Sequence, residues 1–323
     1  MGNAIGFKSP VLARGSLLTY IRFMKTLILS GLLLFSIPKC VAQNYIDLAN
    51  LAYSVTPQNS FENSRDQTQI EELEFQFTFP HVLDDKNTFI ANLMLESNAL
   101  RLDPSLAQRT TLASLGIALG LNHRYSEKLA ITYLVIPKIA SDLDQITSQG
   151  FQLGGLALAT LKKNEHLNYK FGLYANTEEF GLFLVPYAGF YYLSPSKRFE
   201  AYITTINGDI NYMLTDKINI GGDVNGLTSS YALSNPYFGS TAEYFAKNTT
   251  EFFAYVRYPV AKNLFLKAKA GYAITRIYKV FEQSDKVALG LSLFFLEDDR
   301  NQLNIPLQKG ALFKLELVYR FPL

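Results

Sequence analysis

Residues 313–321 read Phe313-Lys314-Leu315-Glu316-Leu317-Val318-Tyr319-Arg320-Phe321. Phe313, Leu315, Leu317, Tyr319 and Phe321 occupy every second position, with Lys314, Glu316, Val318 and Arg320 between them. Successive side chains of an extended strand leave opposite faces, so this stretch carries one apolar ribbon ending in aromatics and one largely charged ribbon.

The same alternation recurs upstream. Leu73, Phe75, Phe77 and Phe79 are interleaved with Glu72, Glu74, Gln76 and Thr78, and further apolar rows run through Phe89–Leu95, Leu115–Leu121 and Leu129–Val135. Later rows pass through Phe252–Tyr258, Leu264–Tyr272 and Val287–Phe295; Glu251 with Arg257, Lys267 with Lys269, and Gly290 with Ser292 face the other way. A soluble sandwich or closed soluble barrel turns such an apolar face inward, whereas a membrane barrel turns it toward lipid and keeps the polar face in its lumen.

Three features favour the membrane. The segments reach about ten residues, the length a tilted strand needs to cross the hydrocarbon layer, against the five or six typical of soluble strands. Their connectors alternate in size: tight turns at Ser126–Lys128, Lys162–Glu165, Ser194–Lys197 and Thr215–Lys217, longer loops at Leu100–Thr110, Ala140–Gly150 and Leu233–Asn248. The chain is also rich in aromatics, with 24 Phe and 20 Tyr but no Trp, and these gather at segment ends, where lipid headgroups would meet an aromatic girdle. No stretch after Ala42 has the roughly 18 consecutive apolar residues of a spanning helix. The expected fold is all-β: one transmembrane antiparallel barrel of about fourteen strands, or about twelve, with short periplasmic turns and longer outer loops. The open point in the count is Phe199–Leu214, where Asn207-Gly208 reads either as a hairpin turn or as a bulge.

Upstream lies an export signal. Lys25, the apolar run Leu27–Ile37, Pro38 and the small-residue end Cys40-Val41-Ala42 have the three parts of a secretory signal peptide. Residues 1–42 are therefore expected to be leader and signal, with Met24 as the start and cleavage after Ala42, leaving 43–323 as the barrel; a long charged leader is the alternative. Lys39 before Cys40 argues against lipidation, and loss of the chain's single cysteine would leave no thiol chemistry.

Phe79-Pro80, the run Val185-Pro186-Tyr187-Ala188-Gly189-Phe190 and the closing Tyr319-Arg320-Phe321 resemble motifs of the uncharacterised outer-membrane β-barrel proteins of Gram-negative bacteria grouped as a domain of unknown function. The resemblance implies an outer-membrane location, lipid contact and insertion by the barrel-assembly machinery. It brings no substrate or catalytic residue. Pro322-Leu323 follow Phe321, a departure from the terminal aromatic of the usual assembly signal.

Little chemistry is visible. The formal charge of +2 and the absence of basic runs exclude a nucleic-acid surface. His81, His123 and His166 all fall at expected short turns. Asp142-Leu143-Asp144 and Glu297-Asp298-Asp299 lack a calcium-binding loop, and Gly154-Gly155 and Gly221-Gly222 read as strand glycines rather than phosphate cradles. No cofactor or metal is expected. The candidate site is the lumen, whose charges on this register are Glu72, Glu74, Glu251, Arg257, Lys267, Lys269, Lys314, Glu316 and Arg320, with Glu96, Lys138 and Lys170 beside them. They form a mixture with a slight basic excess, expected either to interlock as ion pairs that stiffen a structural barrel or to line a narrow, mildly anion-preferring pore for a small solute. A barrel enzyme acting on lipid or peptide is the rival; it would draw on Ser141, Asp142 and Asp144, with no histidine to complete the set.

Overall fold

The computed structural model describes residues 45–142, 148–292 and 294–322. The expected signal peptide, the start at Met24, Leu143, Asp144, Leu293 and Leu323 lie outside the described residues.

Fourteen strands form the wall. They are β1 (Tyr45–Val55), β2 (Glu71–Val82), β3 (Asn87–Leu100), β4 (Thr110–Arg124), β5 (Leu129–Ser141), β6 (Phe151–Lys162) and β7 (Leu167–Glu178). Then follow β8 (Gly181–Leu193), β9 (Phe199–Thr204), β10 (Asn207–Met213), β11 (Asn219–Leu233), β12 (Glu243–Ala261), β13 (Leu264–Glu282) and β14 (Gly310–Pro322). Each pairs antiparallel with its sequence neighbours, and β1 pairs with β14 to close the ring, Leu51 opposite Leu317 and Ser54 opposite Lys314. Both ends of the described barrel, and all the two- to five-residue turns of β2–β3, β4–β5, β6–β7, β8–β9, β10–β11 and β12–β13, share one rim.

The wall is inside-out relative to a soluble protein. Leu73, Leu115, Val135, Phe171, Val256 and Leu315 are between 41% and 58% exposed on the outer face, while Glu72, Asn92, Lys267, Lys314 and Glu316 are buried on the inner one. Such a continuous apolar exterior is unfavourable in water and is what a lipid-facing surface requires. No helix among the described residues is long and apolar enough to cross a membrane; the chain crosses with strands.

The unresolved point at Phe199–Leu214 is a hairpin, but its turn is Thr205-Ile206, just before Asn207-Gly208. β9 and β10 are only 6 and 7 residues long. Their early end strips two neighbours of partners, and the long-loop half of the barrel is arranged around those two free edges. β11 pairs with β10 only as far as Asn225. Beyond Gly226 it leaves the wall, passes inside β8–β10 and docks on β5, β6 and β7: Ala232 pairs with Ser141, the Asp142 amide donates to Ala232 O at 3.1 Å, Gln152 Nε2 to Ser230 O at 2.9 Å, and the Ser230 amide to Glu178 Oε2 at 2.8 Å. Buried backbone groups of an edge need such partners.

The other free edge, on β8, is covered from the loop between β13 and β14. Leu289–Leu291 runs parallel to it, with Phe183 opposite Gly290, and the Ser292 amide donates to Leu184 O at 2.9 Å. This corrects the reading of Val287–Phe295 as one more barrel strand: Leu289–Leu291 and Phe294–Leu296 form a small hairpin that turns at Ser292, which has φ 53°. Two further expectations change. The loop read as Leu233–Asn248 is only residues 234–242, Glu243–Asn248 being strand, and two connections on the long-loop rim, Glu179-Phe180 and Thr205-Ile206, are tight turns.

The inturned strands fill the mouth. Tyr231, Phe245, Tyr278 and Val280 from β11–β13 pack against Leu100, Leu112 and Ala140 on the inner faces of β3–β5, with Phe61 and Leu307 from the loops, to form an apolar core. The opposite face of the same ribbon is covered too: Tyr244, Ala246 and Phe281 meet Phe180, Phe183 and Val185 of the β7–β8 hairpin.

Candidate functional site: the charged lumen

Below that core the strand register lays the inward residues in rows. One row runs Arg257, Lys267, Glu316, Ala52, Glu74 across β12, β13, β14, β1 and β2; the next runs Tyr255, Lys269, Lys314, Ser54, Glu72. Lys269 and Lys314 stand directly opposite each other, which repels unless acids intervene. They do: Lys269 Nζ lies 2.8 Å from Asp223 and 2.7 Å from Glu316, and Lys314 Nζ 2.8 Å from Glu74.

These rows enclose a cavity of about 880 Å³, and all nine charges singled out in the sequence line it. Lys267 pairs with Asp209 at 2.9 Å and Arg320 with Asp47 at 2.6 Å. Glu72 receives the Lys247 ammonium at 2.7 Å, and that same ammonium donates to Glu96 at 3.1 Å and to Asn98 at 2.8 Å. Lys247 is 2% exposed, and this knot lies in the cavity wall beneath the apolar core. The side chains of Glu251 and Arg257 form no hydrogen bond or ion pair among the described residues.

Asp47, Glu178, Glu200, Asp209, Asp223 and Lys247 also line the cavity and were missed. Asp209 follows the turn that the sequence left open, Asp223 stands opposite it on β11, and Lys247 lies in a stretch read as loop. With them the lining has ten carboxylates against eight cations, so the expected slight basic excess becomes an acidic one. Gly221, opposite Tyr255, has a local reason: a Cβ there would fall 2.3 Å from the Tyr255 ring. The bare glycine lets Tyr255 lie across β11 and donate to Asp209 at 2.6 Å.

His81 and His123 lie at the short-turn ends of β2 and β4 and His166 in the β6–β7 turn. His123 Nδ1 is 2.7 Å from Asn87 Oδ1. Asp142, 4% exposed, accepts from the Ser234 amide at 2.9 Å and from the Ser234 hydroxyl, so its carboxylate fastens the loop after β11. Among the described residues no group of three His, Cys, Asp or Glu is placed to hold a metal ion.

Residues 39–307 match the profile described as Domain of unknown function (DUF6268). No curated protein matches the sequence. Among solved structures, the P. putida toluene transporter TodX aligns over 86% of this chain and 91% of its own at 10% identity and TM-score 0.37. The translocator domain of the autotransporter NalP from Neisseria meningitidis aligns over 94% and 97% at 10% identity and TM-score 0.34. LpxR from Salmonella typhimurium aligns over 85% and 100% at 6% identity and TM-score 0.32. Likeness at this level assigns neither cargo nor reaction to this chain.

Proposed function

The chain belongs to the family described as Domain of unknown function (DUF6268), and from that premise we propose that it is an exported, non-enzymatic outer-membrane barrel that holds a small solute in a lumen closed toward the cell exterior. Its short turns face the periplasm, and passage across the membrane requires the inturned strands to move. The observation that carries this reading is the apolar core spanning the long-loop mouth from Leu100 and Leu112 to Phe245 and Tyr278, above a polar cavity bounded by Arg320 and Tyr45 near the other rim. Ions do not cross a packed apolar layer, whereas a polar vestibule holds solute.

The test is reconstitution into planar bilayers, with folding verified by heat-modifiable gel mobility. Wild-type protein is expected to be silent, and the double variant Tyr231→Ala/Phe245→Ala to show stepwise conductance. Sustained conductance by wild type defeats the closed-lumen reading. Release of fatty acid or peptide by pure protein, lost in Asp142→Ala, defeats the non-enzymatic one, and recovery as a soluble periplasmic protein defeats the location.

A further inference from the structure

We propose that the lumen contains a subsite for a small organic anion, built on Arg257; this rests on the reading of the lumen as a solute-holding vestibule and names the class of solute. Arg257 is 9% exposed, lines the cavity, and its Nε reaches no acceptor. A guanidinium keeps its charge in proteins, and a buried charge without a partner is strongly unfavourable. The other buried lumen cations facing it are satisfied. So are the acids in the surrounding rows: Asp209 holds Lys267 and Tyr255, Glu316 holds Lys269 and Asn50, and Asp47 holds Arg320. None is left for Arg257.

The surroundings define the ligand. The Arg257 guanidinium lies 5.4 Å from the centre of the Phe265 ring, and that of Arg320 lies 5.9 Å from the same ring. Val318, directly opposite Phe265 on β14, lines the cavity beside it. A planar fork of donors therefore stands next to an aromatic and an aliphatic surface. That combination suits a carboxylate or phosphate carried on a small apolar body, gripped bidentately by the guanidinium. Lys170 also lines the cavity without an ion pair, its ammonium 6.0 Å from the Tyr202 ring, but it is only partly buried and water can solvate it.

The experiment is calorimetric titration of the full chain, folded in uncharged detergent, with benzoate, phenyl phosphate, benzyl alcohol and benzylamine. At least one of the two anions should bind, and which one tells carboxylate from phosphate. Its neutral and cationic analogues should bind about tenfold or more weaker, the value of losing a charge-assisted hydrogen bond. Arg257→Gln should weaken the anion by about tenfold or more, Arg257→Lys by less because it keeps the charge and loses the fork, and Lys170→Gln by no more than about threefold. Benzyl alcohol matching benzoate, no binding of either anion, or Lys170→Gln costing as much as Arg257→Gln would overturn the proposal. Heat-modifiable mobility confirms each variant's fold, and should Arg257→Gln fail to fold, Arg257→Lys still separates fork from charge. The bilayer measurement is independent: a silent barrel that ignores anions removes this subsite alone, and a conducting barrel that binds them removes the closed-lumen reading alone.

Discussion

Val256 and Ala246 lie on the same face of β12, ten residues apart, yet Val256 is 48% exposed and Ala246 6%. In the short-turn half that face looks onto lipid. In the long-loop half the strand has moved inside β8, and the same face is covered by Phe183, Phe281 and their neighbours. Period-2 alternation thus decides which side chains share a face, while the length of neighbouring strands decides what the face meets. The two short strands β9 and β10 are the cause, since they leave β11–β13 free to turn inward.

The sharpest break in the comparison is expected where the halves join. Replacing Lys247 by Met leaves Glu72 and Glu96 charged beneath the apolar core, at a cost of about 3–5 kcal/mol. Urea unfolding in detergent or lipid should show it. A loss below about 1 kcal/mol, the value of an exposed pair, would mean that water reaches the knot and the mouth is not sealed.

Cavity formation separates the halves next. Phe245→Ala removes a side chain 1% exposed between Tyr231 and Tyr278 and should cost about 3–5 kcal/mol. Val256→Ala, on the lipid side of the same strand, leaves no internal void, because lipid tails fill the space; its loss should stay under about 1 kcal/mol. Equal losses would place both residues in one environment and dissolve the distinction.

The regular half was legible because one register repeats: Phe313–Phe321 and Leu73–Phe79 alternate cleanly, and every lumen charge read from that alternation lines the cavity. The inturned half was not. Glu243–Thr249 is buried on both faces, and a strand buried on both faces has no reason to alternate, so Glu243-Tyr244-Phe245-Ala246-Lys247 looked like loop. Val287–Phe295 alternates as well as a barrel strand does, but Ser292 adopts a left-handed φ and folds it in two. The pairings of Asp209 and Asp223 depend on where β9 turns into β10, a choice local sequence left open. Arg257 was legible as a lumen charge; that it alone among its row lacks a partner needed all the strands in place.

Depth along the wall gives a smaller contrast. Leu315→Arg puts a cation on the outer face of β14 amid the apolar belt, where a midplane charge costs about 2–4 kcal/mol, while Phe294→Arg puts one on the long-loop hairpin, where headgroups and water lower the cost to about 0–1 kcal/mol. Refolding yield into bilayers and unfolding midpoints measure both. If the hairpin variant were the worse of the two, Phe294–Leu296 would lie deeper in the membrane than Leu315.

The smallest effect tests whether that hairpin is held from the loop. Arg300 lies against the Phe281 ring at 4.2 Å and the Phe295 ring at 4.7 Å, and Asp298 accepts from its Nε at 2.7 Å and from Nη2 at 2.9 Å. Those hydrogen bonds, aided by the positive charge, hold the Asp298 carboxyl below its ordinary value. A carboxylate with a depressed folded-state pKa contributes stability that is present above the unfolded-state value, near 3.9 for Asp, and is lost as pH falls through the folded-state value. Because Asp298 is largely solvated, the contribution is discounted to about 0.2–1 kcal/mol. Hydrogen-exchange protection of Phe294–Leu296 should therefore hold steady from neutral pH down to about 4 and fall below it. Asp298→Asn should start from lower protection and show no further loss in that window. A wild-type hairpin whose protection ignores pH would mean that Arg300 is held by the rings and by its hydrogen bond to the Tyr244 hydroxyl, and the loop would then have no ionic grip on the wall it patches.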